Sequence, residues 1–189
     1  MTNHRFDPTK LNKLDNPERR KAFPPEKILS LLQIGRNDVV LDLGAGPGYF
    51  ALPAASLTTG KVFALDVEPK MLEMLEQKVN QYSLKNIHLL KGNIEDIPME
   101  NNQADRIIAS LVLHEVESLP KAVQEIDRVL KPEGRLLCLE LEKKPVEQVP
   151  ARRYRIHSDE MKKVLEEHGF HIVHFTFPTE QHYMIVAQK

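Results

Sequence analysis

The chain has 189 residues, 41% of them hydrophobic, enough for one well-buried core and short for two. Its 26 basic and 27 acidic residues nearly cancel, to a net charge of -1, so the chain as a whole carries no electrostatic footprint for nucleic acid or an acidic membrane. A single cysteine, Cys138, excludes an internal disulfide and a cysteine-cluster zinc site, and no apolar stretch is long enough to span a bilayer.

The polar start MTNHRFDPTK lacks the hydrophobic core of a signal peptide, so a reducing, cytoplasmic setting is expected. Positions 1–37 mix charge with Pro8, Pro17, Pro24 and Pro25 and read as a preamble of short helical pieces. The main domain, 38–189, begins with the apolar run VVLDLG (39–44), followed by a glycine loop and the run KVFALDV (61–67). Pro69 then opens a helix at the position where a missing N–H costs nothing, with Met71, Leu72, Leu75 and Val79 on one face. The stripe of Met71, Met74 and Leu75 is expected to be core. NIHLLKG (86–92) and DRIIASLVL (105–113) are further buried strands, Ser118 caps a helix over LPKAVQEIDRVL, and GRLLCLELE (134–142) is the fifth strand. Ser158 caps a helix that Gly169 stops. FHIVHFTF (170–177) and HYMIVAQK (182–189) are separated only by Pro178 to Gln181, which permits a hairpin but no parallel crossover, so the last strand runs antiparallel.

The loop in LDLGAGPGYF (41–50) joins the first strand to the first helix, at the carboxyl edge where open α/β sheets bind ligands. A dinucleotide fingerprint would need its third glycine at 49, which is Tyr49; here the spacing of Gly44, Gly46 and Gly48 is G-x-G-x-G. The Asp42 carboxylate, about 5 Å from a bound pyrophosphate, would repel it by roughly 3 kcal/mol per charge pair at an effective dielectric near 20. The same group attracts a cation. A nucleoside carrying an ammonium, a sulfonium and one carboxylate for backbone N–H groups suits the loop better, and S-adenosylmethionine is that ligand. Asp66 ends the second strand at about the 20-residue offset from which an acid reaches ribose hydroxyls. Val67 is placed to pack on the adenine, with Asn93 and Ile94 after the third strand at its edge, the Asn93 carbonyl positioned to accept from the exocyclic amine.

The combination of VLDLGAGPG, ALDVEPKML, GNIEDIP and SLVLHEV followed by EIDRVLKPEGRLL resembles the class I S-adenosylmethionine-dependent methyltransferases, in the type 11 branch that includes the ubiquinone and menaquinone C-methyltransferases. That resemblance covers 39–142. It implies an α/β, Rossmann-like seven-stranded sheet in the order 3-2-1-4-5-7-6, with strand 7 antiparallel and helices on both faces. It further implies S-adenosylmethionine as cofactor, held by Asp42, Gly44, Ala45, Gly46, Gly48, Asp66, Val67, Asn93 and Ile94. The family commonly has Asp where this chain has Asn93.

Methyl transfer from a sulfonium needs the acceptor aimed in a dry pocket, and needs a base only where the acceptor must first lose a proton. His114, after the fourth strand, is the candidate catalytic residue; its alternative role is to hydrogen-bond its own turn. Glu115, Arg152, Tyr154, His157 and Tyr183 are candidate substrate contacts, and the preamble is the spare material that can cover this edge. His114, Glu115, Glu140 and His157 contain no paired ligand motif such as H-E-x-x-H, so no metal is expected. The expected acceptor is a small molecule. The sequence SLVL after the fourth strand lacks the motif of the family's nucleobase and glutamine amino-methylating enzymes, and a single cysteine does not serve arsenite methylation. A noncatalytic cofactor-binding subunit is the alternative. An RNA methyltransferase has thinner support, since residues 1–27 hold seven Lys/Arg against four Asp/Glu.

Overall fold

The computed structural model describes residues 16–143 and 155–189. Among these, seven strands form one sheet: β1 Val40–Leu43, β2 Val62–Asp66, β3 Ile87–Lys91, β4 Ala104–Ser110, β5 Leu130–Leu141, β6 His171–Thr179 and β7 His182–Gln188. Their order is β3-β2-β1-β4-β5-β7-β6. The first five are parallel to one another, and β7 runs antiparallel to both β5 and β6, the latter as the short hairpin connection requires. The helices are α1 Pro17–Ala22, α2 Pro25–Ser30, α3 Ala51–Ala55, α4 Pro69–Gln81, α5 Leu119–Val129 and α6 Ser158–Glu167.

Residues alternate across the sheet because strand side chains have a period of two. Leu41, Leu43, Ile107, Ala109, Leu136 and Cys138 face one side, where Ala122, Val123 and Ile126 of α5 and Met161 and Leu165 of α6 cover them. Val40, Val62, Ala64, Ile108, Leu137 and Leu139 face the other, beneath Ile28 and Leu29 of α2, Ala51 and Ala54 of α3 and Leu75 of α4. Burial on both faces is why these strands read as nearly continuous apolar runs. Each fully buried leucine or isoleucine contributes roughly 1.5–3 kcal/mol.

Several boundaries differ from the sequence-based expectation, among them the end of β6, which runs through Pro178 to Thr179 and leaves only Glu180 and Gln181 between the last two strands. β4 stops at Ser110 because Leu111 adopts φ +56°, and Leu113–Glu115 forms one 3-10 turn instead of more strand. β5 begins at Leu130, where it pairs with Ala104 before a register shift. Ser158 is the first helical residue of α6, and the cap is His157, whose Nδ1 accepts the Asp159 N–H at 3.2 Å.

The described part of the preamble is tied to the rest of the fold by hydrogen bonds along its length. The Arg106 guanidinium donates to the carbonyl of Leu32 at 2.8 Å, holding the end of the α2 segment to β4. Tyr49 donates its hydroxyl to the Phe23 carbonyl at 2.8 Å, while the Phe23 ring meets His182 edge-on at 4.7 Å. These contacts bring α1 over the carboxyl edge of the sheet.

Candidate functional site

A cavity of about 880 Å³ opens at that edge, within the size range of small-molecule and cofactor sites. Its floor is the glycine loop. Gly44, Gly46 and Gly48 all have positive φ, and a Cβ on Gly44 would overlap Val112 Cγ2, so the turn after β1 closes on the turn after β4 only without a side chain there. Gly48 does not line the cavity; a Cβ on it would meet Leu75 and Leu52, so its part is close packing of the loop on the helices.

Asp42 and Asp66 both line the cavity and both are buried. Burial raises the Asp42 carboxyl from 3.8 to about 7, the Ala51 N–H partly opposing it and the nearby Asp66 charge adding to it. Among the described residues Asp42 Oδ2 has no hydrogen-bond partner. Asp66 is raised as well, again by burial first, although its Oδ2 accepts Gly46 N–H at 2.8 Å and its Oδ1 accepts Glu68 N–H at 2.9 Å. Thus Asp66 ties the end of β2 to the glycine loop. Val67, Asn93, Ile94 and Met71 line the cavity beside it, so Met71 faces the ligand space and is not core alone. The Asn93 carbonyl already accepts the Glu95 N–H at 3.0 Å, which reduces its capacity for an adenine amine. The donor set fits S-adenosylmethionine: a buried unpartnered carboxylate oxygen for a cation, a second carboxylate for paired hydroxyls, and an apolar wall for a base.

His114 lies on the same cavity, in the turn after β4. Its Nδ1 stands 2.7 Å from Oε2 of Glu140, a fully buried side chain on β5. Burial alone lowers the imidazole pKa, but the Glu140 hydrogen bond and the charges of Glu140 and Glu115 outweigh it and raise the value above 6.5. Glu115 lines the cavity, with Oε1 3.9 Å from His114 Nε2.

The remaining expected substrate contacts are not brought together here. Tyr183 is fully buried on the opposite face of β7, among the residues packed under α5 and α6, and burial pushes its hydroxyl pKa up. Its neighbour His182 faces the cavity instead, because adjacent strand residues point to opposite faces. His157 borders a separate shallow hollow with Glu142, Lys162 and Phe175. Arg152 and Tyr154 lie outside the described residues. Cys138 is buried in β5 and its thiol pKa is pushed up by that burial, as suits an unreactive core side chain. Sequence reasoning passed over Asn16, Arg19 and Phe23 of the preamble, which line the cavity; only a general position over the sheet edge was legible for them.

A family model described as a methyltransferase domain matches residues 41–138, more than half of the chain. A demethylmenaquinone methyltransferase of Bacillus mycoides (strain KBAB4) is 31% identical over 132 residues, covering 69% of this chain and 55% of that protein, so the chain spans about half the length of the curated relatives it matches. The crystal structure of a SAM dependent methyltransferase from Aquifex aeolicus superposes with a TM-score of 0.87 at 30% identity, covering 97% of this chain and 99% of that one. The [4+2]-cyclase SpnF shares the fold at TM-score 0.80, 16% identity and coverage of 89% of this chain and 81% of that one. The fold alone therefore does not name a reaction. With the family match and the Aquifex likeness joined to the glycine loop and its two carboxylates, the chain belongs to the methyltransferase domain family, in the type 11 branch of the class I S-adenosylmethionine-dependent methyltransferases.

Proposed function

We propose that this chain transfers a methyl group to a small-molecule acceptor bound between the turn after β4, the start of β7 and helix α1. The observation that carries the reading is the buried Asp42 oxygen without a partner among the described residues, lining the same cavity as Asp66 beside a glycine loop that has no room for a side chain at Gly44. When bound, S-adenosylmethionine supplies a methyl group made electrophilic by its sulfonium. Asp42, Gly44, Ala45 and Gly46 would hold its charged end, Asp66 its ribose, and Val67, Asn93 and Ile94 its base.

The chain's own residues then have separate tasks. Asp66 draws Gly46 and Glu68 into place, so the loop is preorganised and little ordering entropy is lost on binding. Phe23, held by Tyr49 and His182, covers the acceptor side and excludes water. In this reading residues 16–37, the described part of the preamble, serve as a lid on the domain formed by 38–189. His114 presents a nitrogen to the acceptor and takes its proton where the acceptor has one to lose. The name of the Bacillus relatives makes demethylmenaquinone the first acceptor to assay, in its reduced hydroquinone form, since the quinone carries carbonyls and only the hydroquinone has ring hydroxyls with a proton to lose.

Calorimetry tests the cofactor half. S-adenosylhomocysteine should bind and NAD should not, and Asp66→Ala should weaken the former by about 1.5–3 kcal/mol, the range for hydrogen bonds to a charged group. Tighter binding of NAD than of S-adenosylhomocysteine would overturn the reading.

A further inference from the structure

Glu140 presents an unusual arrangement for a carboxylate at the carboxyl end of an inner strand. It is fully buried on β5, yet no lysine or arginine pairs with it in the described part of the chain. Four donors converge on it instead. Oε1 accepts the backbone N–H groups of Val112 at 2.9 Å and Leu113 at 2.8 Å, and Oε2 accepts Leu141 N–H at 3.3 Å. The fourth partner is Nδ1 of His114 at 2.7 Å. A carboxylate that already receives three backbone donors is an acceptor on both oxygens, so the proton of the pair belongs on Nδ1. That leaves the lone pair on Nε2.

We infer that Glu140 is a positioning residue: it fixes His114 in the Nδ1–H tautomer with Nε2 turned to the cavity as a proton acceptor, and it holds the resulting imidazolium by charge. The inference rests on the proposed acceptor role of His114. In the step itself, the acceptor's X–H proton passes to Nε2, a new N–H bond forms, and the electron pair stays on the acceptor atom. The charged groups that bear on the ring are Glu140 from β5 and Glu115 from its own turn, while His182 of β7 and Arg19 of α1 line the same cavity.

Glu140→Gln discriminates this role from a structural one by its geometry. The single amide oxygen is needed by the paired N–H groups of Val112 and Leu113, so the amide NH₂ faces Nδ1 and donates to it. The ring proton must then move to Nε2, and the cavity-facing nitrogen becomes a donor. The experiment is an imidazole ¹⁵N spectrum of the full chain, with the His114 signals assigned by their loss in His114→Asn, recorded over pH for the wild type and for Glu140→Gln. The wild type should show the Nδ1–H tautomer and a midpoint above that of an exposed histidine. Glu140→Gln should show Nε2–H and a lower midpoint, with S-adenosylhomocysteine affinity within about twofold. The Nε2–H tautomer in the wild type would overturn the inference without any variant, so a Glu140→Gln chain that fails to fold does not protect it. An unchanged tautomer in a folded Glu140→Gln would overturn it too. Failure of S-adenosylhomocysteine to bind the wild type would instead defeat the functional reading while leaving the tautomer result standing.

Discussion

Asp42 offers a test in which stability and ligand binding move in opposite directions. The unfolded chain loses this proton near 3.8 and the folded chain near 7, so the folded state holds the proton longer and stability falls as pH rises through that window. Above it the loss levels off at about 4 kcal/mol, to order of magnitude, the free-energy equivalent of the displaced pKa. Asp42→Asn keeps an acceptor for the Ala51 N–H and removes the charge, but it buries an amide whose second group lacks a partner, which costs about 1–3 kcal/mol. The net expectation at pH 8 is a variant more stable than wild type by about 1–3 kcal/mol. The advantage should shrink by roughly 2–3 kcal/mol on going to pH 5, where less than half of the ionisation cost remains in the wild type. Urea unfolding of both proteins without cofactor at the two pH values measures this, since the slope should not change. The variant should meanwhile bind S-adenosylhomocysteine more weakly, because the buried oxygen that would face its ammonium is no longer charged. Wild-type binding near pH 6.5 should release a proton, seen as a buffer-dependent calorimetric enthalpy. A stability difference independent of pH, or undiminished binding by Asp42→Asn, would refute the assignment of this carboxylate as a cation site held at a cost in the free protein.

Gly44→Ala places a Cβ at φ +64° against Val112 and should destabilise the fold by about 2–4 kcal/mol, with Val112→Ala restoring part of it in the double variant; equal unfolding midpoints for Gly44→Ala and wild type would remove the steric argument. The folded pKa of His114 lies above 6.5, so its stabilising contribution is complete below 6.5 and disappears as pH rises through the folded value. His114→Asn should therefore lose more stability relative to wild type at pH 5.5 than at pH 8.5, and denaturant titrations at both would expose a reversed order. With an acceptor in hand, His114→Ala should leave cofactor affinity nearly unchanged and lower transfer by about 10²-fold to 10⁴-fold, whereas full activity would reduce the residue to a turn-stabilising histidine.

The elements, and most of the residues that line the proposed cofactor half of the cavity, were legible in the amino-acid sequence because both rest on short-range signals. Apolar runs closed by turn residues mark β1 to β5, the Pro178 to Gln181 connection forces the antiparallel β7, and the glycines at 44, 46 and 48 with Asp42 and Asp66 sit within one β-α-β unit. The acceptor half draws its residues from separated segments, and there the sequence was silent on which side chains meet. Period-two alternation says that His182 and Tyr183 point to opposite faces, but only the packing of α5 and α6 on one of those faces decides that Tyr183 is core and His182 lines the cavity. Likewise a glutamate in a buried strand carries no local sign of its partner. The alignment of β5 beside β4 brings Glu140 within 2.7 Å of a histidine 26 positions earlier, and the left-handed Leu111 turns that histidine's segment back toward the sheet. Local propensity acts over a few residues, whereas the site is assembled by strand order and register, which are set by burying both sheet faces at once.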